Sequence, residues 1–459
     1  MSSPDKPAVP AGADDAADQV PPSRLLARQI LALALPALGA LIAEPIFLLA
    51  DAAIIGRLGV PQLAGFALGS TLIQTVVGMM IFLAYSTTSS VARAVGAKRE
   101  NLALAMGRDG IAVAFLLGLI LVAGGMIFTG PALQLMGGTG DTYRYAADYV
   151  LASLPGLPAM LLVLAATGLL RGFQDTKTPL IVAAAGFGAN IGLNLLLVYA
   201  FNLSVFGAGL GTSLAQWGMA IAYLWIILPR MRAANVRFTP TRAGMIANTK
   251  VGSWLMLRTA SMRIAFLITV WVATDLGDTI LAAHQLIMTI YSTLAFVLDA
   301  LAIAAQAMIG KELGAGRTKV AATLNKTMMR WGVYFGIFTG VLLGLTAPLI
   351  APLFSPDPGV QEAFTVGMWV LAIAQPVAGL VFVLDGVLIG AGDARYLALA
   401  GVINLLIYVP ALLLVVVANP AGLATIGWLW VAFGVVYLGA RAATLVWRVR
   451  NDKWMVAGL

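Results

Sequence analysis

Twelve mostly apolar stretches, several holding runs of 18 residues or more, are separated along this chain by short polar or glycine-containing stretches. About 20 apolar residues in helical form cross the hydrocarbon of a bilayer, whereas a barrel strand needs only about 9–11 of alternating polarity. Inside lipid the backbone must satisfy its own hydrogen bonds, so runs of this length have only the helix open to them. The chain therefore reads as an all-α polytopic membrane protein with 12 transmembrane helices. The spans are expected at 25–55, 65–90, 105–128, 146–169, 179–200 and 207–229, then 250–274, 281–309, 327–350, 363–387, 396–418 and 422–447. Charged residues make up 10% of the sequence, far below the roughly 25% of a soluble domain. There is no Cys and one His, His284, so neither a thiolate nor a histidine cluster is available to a metal.

The first 22 residues are rich in Pro, Ala and Asp and carry no apolar run, which reads as a disordered tail and not a signal peptide. Basic residues orient the rest. Of 28 Lys and Arg, 24 fall on the side of the N-terminus if that end is cytoplasmic, and the opposite loops hold only Arg57 and Arg144. The expected topology thus has both termini in the cytoplasm of a prokaryotic-type inner membrane. The net charge of +8 reports this bias and contact with anionic lipid, not nucleic acid.

The two halves repeat. A shift of 218 residues places Leu58-Gly59 on Leu276-Gly277, Gly96-Ala97 on Gly314-Ala315, Arg99 on Arg317, Gly172 on Gly390 and Asp175 on Asp393. Six spans per half is an even number, so both halves enter from the same side. They should form two six-helix lobes related by a pseudo-twofold along the membrane normal, with a V-shaped cleft between them. The expected boundaries are 23–229 for the N-lobe, 230–249 for a linker, 250–450 for the C-lobe and 451–459 for a tail. The Gly and Asp pairs of LLRGFQDTKTP and its copy VLIGAGDARY suit tight turns whose Asp caps the following helix.

The first span, LALALPALGALIAEPIFLLADAAIIGRLG from Leu31 to Gly59, holds two acids, Glu44 and Asp51. Seven residues is almost two turns, so both point the same way. A carboxylate in hydrocarbon costs a few kcal/mol, so it marks a pathway or coupling site. Pro36 and Pro45 lie in the same helix, and each removes a backbone donor and predicts a bend. Glu44 lies about 18 Å from the outer end, near the midplane. It is read as a second proton site, a cation-binding wall of a substrate cavity, or a partner for backbone groups freed at the bend. Met79, Met80, Met160 and Met288 suit an adaptable apolar cavity, although most Met here pack helices. His284 reads as a hydrogen-bonded residue near the outer face.

These segments resemble the MATE (multidrug and toxic compound extrusion) transporters. The likeness is carried by the first-span segment, by ARAVGAKREN with its copy IGKELGAGR, and by LLRGFQDTKTPL. It covers the chain from Leu25 to about Arg450. The AEP before the first-span acid, LMLRTASM, Leu298-Asp299 and Leu384-Asp385 are similar to the DinF-like branch. The resemblance implies a two-lobed exporter driven by protons or sodium. It puts cation coupling on Asp51, with Asn190 and Asn194 in the fifth span and Thr212 in the sixth. Helical rise puts Asp51, Asn194 and Thr212 each about 8–9 Å from the outer end of its span, and Asn190 one turn deeper. Sodium-binding relatives often carry an acid where this chain has Asn194, which favours a proton, with sodium at Asp51 the alternative.

The shift of 218 sends Asp51 to Thr269, Glu44 to Met262, Asn190 to Tyr408 and Asn194 to Leu412, so coupling should belong to the N-lobe alone. The C-lobe has its own intramembrane charges, Arg258, Arg263, Asp299 and Asp385. They are expected to form a network, Asp385–Arg258–Asp299, acting as a structural or gating lock or as a second ion site. With no GxxxxGK[ST] motif, an ATP-driven pump is disfavoured. The expectation is a monomeric secondary exporter of lipophilic, often cationic compounds, with no cofactor and no catalytic residues. A lipid-linked precursor flippase is the alternative from another class.

Overall fold

The computed structural model describes residues 22–418, 420 and 422–458. The segment read as a disordered tail lies, up to residue 21, outside them. Twelve helices in the described residues are long and apolar enough to cross a membrane. In the first half they are α1 (Ser23–Gly56), α2 (Val60–Gly96), α3 (Glu100–Leu135), α4 (Gly140–Gly172), α5 (Lys177–Ala200) and α6 (Ser204–Ala233). In the second they are α7 (Arg242–Asp275), α8 (Asp278–Gly314), α9 (Thr318–Phe354), α10 (Pro358–Gly390), α11 (Ala394–Ala418) and α12 (Leu423–Val449). Every expected span falls inside one of these helices, except that the last expected span starts one residue early, at 422. Most helices run a turn or more further, because polar residues at a bilayer surface extend a helix that hydropathy alone would end.

The expected linker at 230–249 is mostly helix. α6 continues to Ala233 and α7 begins at Arg242, leaving residues 234–241 between them. That short connection is fastened to α3. The Asp109 carboxylate accepts hydrogen bonds from the Thr241 backbone N–H at 2.9 Å and hydroxyl at 2.7 Å. Arg108 pairs with Asp109 and donates to the Arg237 carbonyl at 2.6 Å.

The two halves pack alike. α1 lies on α5 as α7 lies on α11; α2 and α3 lie on α4 as α8 and α9 lie on α10. The turn after α4 is built as its sequence requires, with the Asp175 carboxylate accepting from the Thr178 N–H at 3.0 Å and hydroxyl at 2.7 Å.

The cores of the two lobes join at one end. Where α1 starts and α12 ends, a mixed core joins Phe82, Leu255, Met308 and Leu384, and Ala37 of α1 packs with Ala300 and Ile303 of α8. Towards the other face the cores separate, one confined to α1–α6 and one to α7–α12. That parting is the V-shaped cleft. At the joined end α2 and α8 cross symmetrically. A Cβ on Gly96 would lie 1.9 Å from the Lys311 carbonyl oxygen, and one on Gly314 would lie 2.0 Å from that of Arg93. Gly96 and Gly314 are repeat mates, as are Arg93 and Lys311, so the crossing sits on the pseudo-twofold. Glycine is required here because the two backbones touch. We expect Gly96→Val to separate them and lower stability by about 2 kcal/mol. A thermal unfolding midpoint equal to that of the unaltered protein would contradict the contact.

The chain end adds a strap at the same place. Arg93 of α2 donates to the carbonyls of Ala391 at 2.7 Å, Val456 at 2.6 Å and Gly458 at 2.7 Å. Trp454 is buried, and the Gly458 N–H bonds the Leu313 carbonyl at 2.9 Å. The stretch read as a tail, 451–459, is thus packed on both lobes along its described part.

Candidate functional site

α1 runs unbroken through Pro36 and Pro45. Neither proline N can donate, so the carbonyls one turn back have no intrahelical partner and the helix bends easily there. Above Pro45 the helix is held against α5 by stacked rings, Phe47 on Phe187 with centroids 5.0 Å apart. At its end the Tyr199 hydroxyl donates to the Ile54 carbonyl at 2.6 Å.

Between these two fastenings lies Asp51, which is fully buried. Its Oδ1 accepts from Asn194 Nδ2 at 2.6 Å. The same amide group donates to Asn190 Oδ1 at 2.9 Å, and Asn190 Nδ2 donates to the Thr212 hydroxyl oxygen at 3.3 Å. Thr212 donates in turn to the Ala208 carbonyl at 3.0 Å. All four sequence-derived residues are therefore one hydrogen-bonded chain across α1, α5 and α6. Asn190 and Asn194 share a face because they are one turn apart. The last turn of α5, Leu196–Ala200, is a π-turn, a device that recurs beside functional sites. Asp51 Oδ2 and Asn194 Oδ1 are buried with no hydrogen-bond partner among the described residues.

The matching place in the C-lobe is chemically different. The repeat mates of Asp51 and Asn190, Thr269 and Tyr408, share one hydrogen bond at 2.6 Å. The mate of Thr212 is Trp430, packed against Phe433 at 5.3 Å and against His284 at 5.5 Å. An aromatic nest thus fills what is a polar pocket in the N-lobe. His284 belongs to that nest. It is buried with neither ring nitrogen partnered among the described residues, so its expected place as a hydrogen-bonded residue near the surface is not what the fold gives it.

The expected C-lobe network is corrected in its membership. Arg258 Nη2 pairs with Asp385 Oδ2 at 2.8 Å. The second guanidinium on that oxygen comes from Arg441 of α12, not from Arg263. Asp299 lies within electrostatic reach of Arg258 and Asp385 but makes no ion pair among the described residues, and Arg263 is exposed on another face of α7. By sequence Arg441 groups with the basic residues of the N-terminal side, because it lies near the end of the last apolar run. Its position inside that run was the available signal: Arg448, two turns on, emerges to pair with Asp393 at 2.5 Å. Glu44 is exposed on the α1 face that, two turns deeper, packs on α8 through Ala37. It has not joined the Asp51 chain.

A two-lobed helical protein of this build, with a buried carboxylate chain in one lobe and a cleft between the two, belongs to the membrane transporters that work by moving lobes. The family model MatE matches residues 36–196 and 255–414, two segments offset by the internal repeat. The chain is a member of the MATE transporter family. Among its relatives is Protein DETOXIFICATION 44, chloroplastic, of Arabidopsis thaliana, 29% identical over 93% of this chain and 83% of that one. Another is DNA damage-inducible protein F of Escherichia coli, 28% identical over 62% of this chain and 63% of that one. The Vibrio cholerae MATE transporter VcmN in its bent form superposes with a TM-score of 0.84 at 19% identity, covering 94% of this chain and 99% of that one. Such a level of identity speaks for the fold alone. The family consists of transporters and not enzymes.

Proposed function

We propose that this chain exports lipophilic and cationic organic compounds in exchange for inward-moving protons, and that Asp51 carries the proton. The buried chain Asp51–Asn194–Asn190–Thr212, with no acidic counterpart in the other lobe, supports this reading more than any other feature. A carboxylate accepts a hydrogen bond more strongly than a carboxylic acid does. Protonation of Asp51 weakens its bond from Asn194 and loosens α1 from α5. The helix then bends at Pro36 and Pro45, the cleft narrows, and substrate leaves. Return of the lobes exposes Asp51 to the other side and the proton departs. A site that cannot hold proton and substrate together gives exchange. In this reading residues 23–229 and 250–450 are the N- and C-lobes, both termini face the cytoplasm of an inner membrane, and the working unit is a monomer.

Sodium is the second reading. Asp51 Oδ2 and Asn194 Oδ1, buried and unpartnered, are oxygens a cation can use. Glu44 and Asp51 count against a flippase, whose polyanionic cargo needs a cationic cleft. Flux in proteoliposomes, with proton and sodium gradients imposed separately, tests the proposal. We expect dye export under a pH gradient alone; drive by sodium at constant pH would overturn proton coupling, and no flux under either would overturn export.

A further inference from the structure

Arg263 is an exposed arginine at the middle of a membrane-spanning helix, and it has no hydrogen bond or ion pair among the described residues. It lies 5 residues beyond Arg258, more than a third of a turn round α7, so it points away from the Asp385 network. Its guanidinium reaches across the cleft to the other lobe. A Cβ on Gly78, midway along α2, would lie 2.9 Å from Arg263 Nη2. A side chain at position 78 would therefore obstruct it, and the bare helix gives the guanidinium room without giving it a counter-ion.

The other lobe supplies the complement. Glu44 is likewise exposed and without a partner among the described residues. The repeat makes Pro45 the mate of Arg263, one residue from Glu44. The pseudo-twofold thus sets Glu44 and Arg263 within about 1.5 Å of the same depth, on opposite walls of one cleft. The two do not pair with each other. Charges in mid-membrane are costly unless they serve a pathway or find a partner.

We propose that Arg263 and Glu44 are the two poles of the substrate cavity, and that this transporter selects zwitterionic amphiphiles bearing a carboxylate. This rests on the cleft being the export path. A planar guanidinium takes a carboxylate through two parallel hydrogen bonds, which an ester cannot reproduce. Glu44 receives the cationic end, and apolar walls take the body between them. Arg263 sets specificity and takes no part in coupling at Asp51.

Two dyes of one skeleton test this, rhodamine 110 with its free carboxylate and rhodamine 123, its methyl ester. We expect the purified full chain to bind rhodamine 110 about tenfold tighter than the ester by fluorescence anisotropy. Arg263→Gln should erase that ratio by weakening the acid alone, Arg263→Lys should keep part of it, and Glu44→Gln should weaken both dyes. An unchanged ratio in Arg263→Gln that melts at the normal temperature would overturn the assignment, as would an unaltered protein that prefers the ester. Flux separates the two proposals. Export of both dyes with a ratio indifferent to Arg263 overturns only the charge selection, whereas export of neither overturns the export reading and this one with it.

Discussion

Asp51→Asn is expected to reduce gradient-driven export to the rate of empty vesicles while leaving the protein folded and able to bind substrate. The amide oxygen of an asparagine still accepts the bond that Asp51 Oδ1 takes from Asn194 at 2.6 Å, so the link from α1 to α5 survives. What is lost is the only acidic atom in a four-residue chain, and with it the ability to change charge. Removing a buried carboxylate that has one orphan oxygen should leave stability level or slightly raised. Three measurements check this: flux under a pH gradient, equilibrium dye binding, and the melting temperature. Undiminished flux would remove Asp51 from the mechanism. Asn194→Asp is the companion variant. Two carboxylates about 3 Å apart cannot both stay ionised unless they share a proton or a cation. We expect it to confer a response to sodium that the natural Asn194 does not give.

The second large effect concerns the C-lobe. Asp385→Ala leaves Arg258 and Arg441 buried in the membrane interior without the carboxylate they share. Removing one partner of a buried pair costs about 3–5 kcal/mol, because the remaining charge is stranded. Here two charges are stranded, so the loss should fall at the upper end and show as a sharp drop in melting temperature or in membrane yield. Replacing all three together, Arg258→Met, Asp385→Leu and Arg441→Met, should restore stability to within about 1–4 kcal/mol of the natural protein, or exceed it. An unstable triple variant would show that the network does more than neutralise itself. Transport by the triple variant then separates packing from gating, since a lock needed for lobe movement fails there even though the fold is sound.

How far the sequence carried this account is clearest residue by residue. Hydropathy placed each span because apolar length is a local property. The 218-residue repeat placed the lobes, and MATE family membership bears out the resemblance carried by the motifs. The grouping of Asp51, Asn190, Asn194 and Thr212 came from the family resemblance, helical rise gave them a common depth, and the four do hydrogen-bond in series. Depth was not enough in the C-lobe. Asp299 has a depth that suits Arg258 and lies near enough to feel its charge, yet the two make no ion pair, and Arg441 from another span supplies the second guanidinium on Asp385.

The sequence by itself therefore determined the class, the twelve helices and the twofold plan, because each follows from period, length or repetition along one segment, and the family resemblance added the four residues of the N-lobe chain. Tertiary structure decided the rest. It set which face of each helix meets which neighbour, that Gly96 and Gly314 let α2 and α8 touch, that Trp430 and Tyr408 fill the pocket Asp51 occupies in the other lobe, and that Arg263 stands unpaired among the described residues. Those outcomes depend on the relative rotation of helices far apart in sequence, and packing fixes that rotation only once the whole bundle is assembled.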